Sequence, residues 1–438
     1  MNKEEQKVVA QVDDFSLSRV PLDKRQPLWQ VLAIQIGGFV ALSQFMLGAE
    51  LGYGLDFKTA VIATILGSVI LEVIAFYLGL AGQKEGLPTS LLAKWAGFGT
   101  VGSALVGVAF AISLIGWFGI QNSNFAAGII EISGQHWPFG VVATITGLLV
   151  TLSVIFGFKG LAWTTVISLP LFLVMIIMAT VNMLEGHSLG TLISMSAPSA
   201  KLTLTTAITL VTGNFIIGAI IMPDITRFAK NGKDVFWVTV VGTTIGELGV
   251  NVLGVLMAHA TGTEEILPII YQLTGSLGIL LVITSTLKIN DINLYSASLG
   301  FVNFFKQVFK IDFNRGGVTL VVGIFGTIAS VLGIIDKFAG FLTILGIVFP
   351  PIAAIIFIDY YVLKRSRKIL DESRQTGTLP SYTETMHPVT LVAWVAGAAT
   401  GYFVTWGVQS FTVIVVSSVV YYVGMKIFDR DKEGYSTI

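Results

Sequence analysis

Three polar residues, Lys288, Asn290 and Asp291, lie in the middle of an apolar stretch that is long enough to cross a bilayer. An ammonium group at that depth costs at least about 2.5–3.5 kcal/mol unless it is paired or neutral. Lys288 and Asp291 are three residues apart, a spacing that allows an ion pair along one helix. The segment therefore predicts either a structural ion pair or a site that binds a ligand, an ion or a proton.

A second group of polar residues follows Trp117. Gln121 lies about one helical turn after this indole and Asn124 about two turns after it, so the three residues share one face of a helix. An indole with an amide one turn away suits a flat ring that forms hydrogen bonds. The alternative is that Trp117 fills the interior of a helix bundle.

Glycines and amides occur together in two further apolar stretches. The first contains Gln35, Gly37, Gly38 and Gln44, and a later one contains Thr212-Gly213-Asn214 followed by Gly218. Glycine weakens a helix, and unwound backbone offers carbonyls and half-helix ends to a ligand or ion. We therefore expect both helices to be broken near a midplane site. Close helix packing through small residues is the alternative.

Composition identifies the elements that position these residues. The chain has 438 residues, of which 54% are hydrophobic and 12% are charged, and its mean hydropathy is +0.81. A soluble domain carries about 25% charged residues. The chain is therefore a multi-pass membrane protein. Apolar runs of sufficient length predict twelve helices, at 29–55, 58–82, 96–130, 138–157, 160–184, 203–226, 235–260, 274–304, 316–335, 338–362, 386–406 and 408–427.

The distribution of basic residues predicts the orientation. With both termini in the cytoplasm, 22 of the 26 Lys and Arg residues fall in cytoplasmic segments and 3 in external loops. Glycine-interrupted helices five apart predict an inverted repeat of five helices plus five, with two helices added at the C-terminus. The predicted divisions are an N-terminal tail 1–28, repeats 29–184 and 203–362, a cytoplasmic loop 363–385, helices 386–427 and a C-terminal tail 428–438.

Several kinds of chemistry are excluded by residue type. Cys is absent, no GxxxxGK[ST] motif occurs, and the four His residues are scattered without metal-ligand spacing. No large extramembrane domain is predicted. A membrane bundle of this kind is typical of a secondary transporter, a channel or a membrane-embedded enzyme. No nucleophile–His pair lies within the helices and no filter-like repeat is present, so we expect a transporter and not an enzyme.

The same segments carry a resemblance to a known family. "LGYGL" after helix 1, "GWFG" in helix 3, "GNFI" and "PDITRF" in helix 6, "NDINLYSASLGFVN" in helix 8 and "FPPIAAIIFIDYYVLKR" in helix 10 occur in order. Taken together they resemble the nucleobase–cation symport family of purine–cytosine permeases. The resemblance implies a five-plus-five inverted-repeat fold with the substrate held between helices 1, 3, 6 and 8.

The resemblance also implies particular site residues. A nucleobase-like ring would lie between Trp117 and Phe215, with its edges bound by Asn290 and Gln121, and Asn214 would face the same site. Stacking contributes about 1–3 kcal/mol per base without selecting the base. Ala41 and Leu114 replace larger or more polar residues of cytosine-selective relatives. The resemblance therefore does not identify which ring compound is the substrate.

One departure from the family concerns the coupling ion. Sodium-coupled relatives bind Na⁺ with carbonyls near the position of Gly37 and with two hydroxyl residues of helix 8. The hydroxyl positions match Lys288 and Ile289 here. An ammonium group cannot share a pocket with Na⁺, so we expect Na⁺ independence and coupling to H⁺. Lys288 would supply the charge of the ion, and Lys288 or a paired acid such as Asp291 would carry the proton.

The expected function is import of a nucleobase, purine or cytosine-like, across the plasma membrane by alternating access. Carriers of hydantoin, allantoin or hydroxymethylpyrimidine are the nearest alternatives, and an amino-acid carrier of the same fold, a channel and a transport-inactive sensor are more distant ones. We expect no cofactor, no metal and no nucleic acid partner. The expected partners are a small planar heterocycle and the bilayer. The sequence does not fix the oligomeric state and is compatible with a monomer.

Overall fold

The computed structural model describes residues 15, 17–39, 41–134, 136–156 and 162–428, without the side chains of residues 37–39, 162–169 and 171. The regular structure of this part of the chain is helical. Its helices are α1 Leu28–Phe39, α2 Leu42–Gly54, α3 Phe57–Glu85, α4 Thr89–Ile132, α5 Phe139–Phe156, α6 Ala162–Gly186, α7 Leu189–Ser194, α8 Leu204–Ile220, α9 Met222–Thr226, α10 Gly232–Thr261, α11 Ile266–Val308, α12 Arg315–Val331, α13 Ile334–Leu363, α14 Arg367–Gln375, α15 Pro388–Phe403 and α16 Gln409–Phe428.

The predicted all-α membrane fold is confirmed. Within the described residues, seven helices have the length and apolar composition to cross a bilayer, and four shorter apolar helices accompany them. The pair α1 and α2 supplies the remaining span, which gives twelve. Parts of the predicted tails, residues 1–14 and 429–438, lie outside the described residues, as do residues 157–161, where the predicted fourth helix ends and the predicted fifth begins.

The predicted interruption of the first span is present. Helix α1 ends at Phe39 and α2 begins at Leu42, and Ala41 between them is extended, with φ −135° and ψ 156°. The interruption follows the Gly37-Gly38 pair directly. Two weak helix formers at the end of α1 leave the chain free to change direction there.

The prediction for the sixth span is wrong in its position. Helix α8 continues through Gly213 and Gly218 to Ile220, and the chain turns at Ile221 before the short α9, which has Pro223 in its first turn. Gly213 serves packing instead, because a methyl group there would overlap the carbonyl of Leu342 on α13. The small-residue alternative therefore applies to this glycine.

The helix packing has the symmetry of an inverted repeat. Helix α2 of the first span packs extensively against α10 of the seventh, and α8 of the sixth span packs against α3 of the second. Exchanging the first span with the sixth, and the second span with the seventh, converts one of these helix pairs into the other. Glycines allow these contacts: a methyl group on Gly52 would meet the Val255 carbonyl, and one on Gly67 would meet Val211.

Two irregular helices surround the region between the repeats. Helix α10 widens into a π-helical turn at Thr244–Val250, and α11 is kinked at Gly275, where φ is +64°. A π-helical turn inserts one extra residue into a helix and is frequent at functional sites. Helix α11 packs along α4, and together they form the largest helix contact among the described residues.

Candidate functional site

The indole of Trp117 lies between the two largest apolar clusters of the described chain. It is half-buried on α4, and two rings of α13 meet it edge to face: Phe341 at 5.3 Å between centroids and 85°, and Phe338 at 6.2 Å and 71°. Such pairs contribute about 0.5–1.5 kcal/mol beyond their buried area. The tenth span therefore holds the indole in a fixed orientation.

The amides that follow Trp117 on α4 are buried. Gln121 is 4% exposed, and its Oε1 has no hydrogen-bond partner among the described residues. Asn124 is fully buried, and its Nδ2 lies 3.4 Å from Sδ of Met46 on α2, whereas its Oδ1 has no described partner. A buried polar atom without a partner costs about 1–3 kcal/mol. Both side chains thus have hydrogen-bonding capacity that the protein itself leaves unused.

Asn290 on α11 lies level with Gln121. The antiparallel helices α4 and α11 touch where Gly128 faces Ile283 and where Ala111 faces Gly300. Gln121 precedes Gly128 by seven residues and Asn290 follows Ile283 by seven, so both are two turns from the same contact. Asn290 is fully buried, and within the described chain neither of its amide atoms has a hydrogen-bond partner.

The sixth span contributes Asn214 and Phe215 from α8. Nδ2 of Asn214 donates a hydrogen bond of 2.8 Å to Oε1 of Gln44 on α2, and Oδ1 of Asn214 has no described partner. Phe215 is half-buried, and its ring lies over Gly218 so closely that a methyl group there would overlap it. Gly218 is therefore required for the position of this ring and does not interrupt the helix.

A buried polar chain extends from Asn214 into the seventh span. Nε2 of Gln44 donates a hydrogen bond of 2.7 Å to Oε1 of Glu247, which lies in the π-helical turn of α10. Gln44 and Glu247 are fully buried, and Asn214 is 6% exposed. Sequence offers no means of pairing Gln44 with Glu247, since 203 residues separate them.

The three residues predicted for ion coupling lie elsewhere. Gly37 is in α1, two residues before that helix ends, and Asp291 accepts a hydrogen bond of 3.1 Å from Ser153 on α5. Lys288 is half-buried, about 160° around α11 from Asn290. Its side of α11 is shared with the exposed residues Thr284, Ile292, Tyr295 and Leu299.

The geometry brings together one part of the predicted site. Gln121 on α4 lies level with Asn290 on α11, Asn214 on α8 bonds Gln44 of the interrupted first span, and each of the three amides has an atom without a described partner. Donors and acceptors of this kind suit the edges of a polar heterocycle. No group of three or more His, Cys, Asp or Glu in the described chain has the arrangement of a metal site.

Comparison with known proteins decides the family. Residues 20–424 match the family described as permease for cytosine/purines, uracil, thiamine, allantoin. The chain belongs to this family. The resemblance inferred from the five motifs is thereby confirmed, and the chain is a membrane permease.

Individual members of the permease family show how far the similarity extends. The chain is 28% identical to the cytosine permease of Escherichia coli (strain K12) over 82% of its length and 83% of that protein's. It is 23% identical to the hydantoin permease of Microbacterium maritypicum over 86% and 80% of the two chains. The structure superposes on Mhp1 in its inward-facing conformation with a TM-score of 0.80 at 19% identity, covering 94% of this chain and 93% of Mhp1.

Proposed function

We propose that this permease is a secondary transporter that imports a nucleobase or a closely related planar heterocycle by alternating access. The observation that carries the proposal is the set of buried amide atoms without described partners on three spans, from Gln121, Asn214 and Asn290, with Trp117 one helical turn from Gln121. A flat ring with donors and acceptors on its edge would satisfy these atoms, and the indole would stack on its face.

The names of relatives support this substrate class and define the alternative. One relative is a cytosine permease and another a hydantoin permease, and Mhp1 has been determined with bromovinylhydantoin bound. Both ring types are planar and carry carbonyl and N–H groups. An amino-acid carrier would instead need a site for charged groups at the helix interruptions, and the amides described above are neutral.

A binding screen tests the proposal. Purified protein would be titrated with purines, pyrimidines, hydantoins and amino acids, followed by uptake of any ligand into proteoliposomes. We expect saturable binding of at least one planar heterocycle and counterflow of the unchanged compound. Trp117→Ala should abolish binding, whereas Trp137→Ala, which removes an indole that is 60% exposed, should not. Amino-acid binding that survives Trp117→Ala would refute the ring-stacking site.

For the coupling ion we propose H⁺ and not Na⁺. Ile289 offers no ligand oxygen where sodium-coupled relatives have a hydroxyl, and Lys288 places a cation beside it. Uptake should respond to a pH gradient and ignore a sodium gradient. The contribution of Lys288, Asp291 and the backbone at Gly37 remains a proposal. Lys288→Met would test it: a response of uptake to a pH gradient that is unchanged in this variant would show that Lys288 does not take part in coupling.

A further inference from the structure

We propose that Glu247 binds and releases the coupled proton, and that the amides of Gln44 and Asn214 transmit its protonation state to the ring site. This inference rests on the proposed function. It goes beyond that function because it assigns the coupling group to the seventh span. The argument depends on the hydrogen-bonded chain from α8 through α2 to α10.

The first step concerns the environment of the Glu247 carboxyl group. It is fully buried, its Oε1 accepts a hydrogen bond from Gln44, and within the described chain its Oε2 has no hydrogen-bond partner and no basic residue forms an ion pair with it. A buried carboxylate is costly unless it is paired or fully hydrogen-bonded, whereas the neutral acid is not. The bond from Gln44 leaves Oε2 of Glu247 without a partner, so the carboxyl group can take up a proton there and release it during a cycle.

The second step concerns the other charged groups near Glu247. Its neighbours in the fold are α1, α2, α3 and the two halves of α10. Helix α1 has no titratable side chain. Glu50 on α2 is close to the charges of Lys201 and Glu264, and His259 on α10 contacts the carbonyls of Leu192 and Leu55. The remaining groups on these helices are Lys58, Glu72, Tyr53, Tyr77, Lys84, Glu85, Lys233 and Asp234.

Glu72 on α3 provides an internal comparison. It also lies within a span and has no basic neighbour on its own helix, but its two oxygens accept hydrogen bonds from Thr239 at 2.6 Å and from Thr243 at 3.0 Å. Both hydrogen bonds come from hydroxyl groups that are not bonded in turn to a side-chain amide. Glu247 differs because its bond to Gln44 continues to Asn214.

The third step follows from the direction of the hydrogen bonds. With Glu247 ionised, Gln44 donates to the carboxylate and Asn214 donates to Gln44, so the oxygen of Asn214 remains available as an acceptor. A protonated Glu247 has an O–H that donates to the oxygen of Gln44. The amide of Gln44 then reverses so that its NH₂ donates to the oxygen of Asn214, and the amide of Asn214, which must reverse too, leaves its NH₂ available as a donor. Protonation thus exchanges an acceptor for a donor at the ring site.

The position of Gln44 links this exchange to movement. It is the third residue of α2, and its backbone N–H bonds the carbonyl of Ala41, the extended residue between α1 and α2. A change in the hydrogen bond to Glu247 therefore acts at the interruption of the first span. Such an interruption is a suitable element for coupling, because its two half-helices can change their angle without unfolding.

Glu247→Gln tests the inference in proteoliposomes, with Glu72→Gln as the matched control. Glu247→Gln should retain counterflow of the heterocycle but lose accumulation driven by a pH gradient by roughly tenfold or more. Glu72→Gln should keep both activities. Accumulation by Glu247→Gln at the level of the unmodified protein would overturn the proposal, as would an equal loss of coupling in both variants.

A second measurement is independent of the substrate. Infrared difference spectra of the purified protein between acid and alkaline pH should contain a carboxylic acid band that Glu247→Gln removes and Glu72→Gln retains. The same band in both variants would contradict the assignment even if no substrate had been found. Conversely, a band that titrates in a protein that binds no heterocycle would support Glu247 as a proton site and refute the proposed function.

Discussion

At the scale of single residues, the decisive contrast is between two neighbours on α4. Gln121 leaves its oxygen without a described partner, whereas Asn122 donates to the Ala143 carbonyl at 2.8 Å and to Ser330 at 3.1 Å and accepts from Thr146 at 2.8 Å. Both amides are buried. A free amide atom inside a protein is available to a ligand, and a satisfied one serves the fold.

This contrast predicts different effects of replacing the two amides: one substitution should affect ligand binding and the other should affect stability. Gln121→Leu should lower heterocycle affinity by about tenfold or more without lowering the thermal stability of the substrate-free protein, because a buried atom without a partner is removed. Asn122→Leu should lower stability by about 1–3 kcal/mol, since Thr146, Ser330 and the Ala143 carbonyl each lose one hydrogen bond. Calorimetry with and without ligand measures both. Equal stability losses would show that Gln121 is structural.

Sequence alone located several of these residues but not their relationships. Trp117 and Gln121 were predicted from type and spacing and Asn290 from the family resemblance; the two amides are buried and the indole is half-buried. The pairing of Gln44 with Glu247 could not be predicted, because a hydrogen bond across 203 residues leaves no local pattern. The sequence likewise does not indicate which side of α11 faces the bundle, because its polar residues at 288, 290, 291 and 293 lie on several sides of the helix.

At the scale of helices, glycine has two uses that the sequence does not separate. The pair at 37–38 precedes a real interruption, whereas Gly213 lies in an unbroken helix and permits contact with α13. Both sites combine glycine with amides in an apolar stretch. What distinguishes them is a partner helix: the carbonyl of Leu342 lies where a side chain on Gly213 would be.

The packing role predicts the result of adding a methyl group. Gly213→Ala should destabilise the protein by about 1–3 kcal/mol, because the new Cβ overlaps backbone that cannot easily move. Gly340→Ala is the control on α13: a methyl there meets nothing within 4 Å, and alanine favours a helix by about 1 kcal/mol. Thermal unfolding in detergent would compare them. A Gly213→Ala variant as stable as Gly340→Ala would contradict the close contact.

At the scale of the whole molecule, a buried ionic cluster joins distant parts of the chain. Glu85, at the end of α3, binds Arg19 at 3.0 Å, Arg374 of α14 at 2.8 Å and the hydroxyl of Tyr360 at 2.6 Å. Arg19 also donates to Ser373. Burial lowers the pKa of Arg19, and the contact with Glu85 opposes that shift. The segment before α1 is thereby fixed to the helix bundle.

Removal of one member of the cluster should weaken the fold. Arg19→Gln should cost about 1–3 kcal/mol, because Ser373 and the carbonyl of Thr378 lose a donor while Glu85 keeps two other partners. Lys24→Gln, a change at an exposed position, should have little effect. Chemical denaturation monitored by tryptophan fluorescence would measure the difference. Equal midpoints for the two variants would argue against a structural contribution of Arg19.

The orientation of the whole chain is open to a direct test. The absence of Cys allows single cysteines to report their side of the membrane. Ser196→Cys, between α7 and α8, should react with an impermeant thiol reagent from outside the cell, and Ser381→Cys, between α14 and α15, only after permeabilisation. Both positions are exposed. The reverse pattern would invert the topology predicted from the basic residues.

The Glu85 cluster also has a consequence for biosynthesis. Arg19 and Glu85 belong to the first fifth of the chain, whereas Tyr360 and Arg374 leave the ribosome only once the tenth span has been made. Until then the carboxylate has one of its three described partners. A chain that stops before α14 therefore lacks the contacts of Arg374 with Glu85 and of Ser373 with Arg19, so the segment before α1 is fully fixed only late in synthesis.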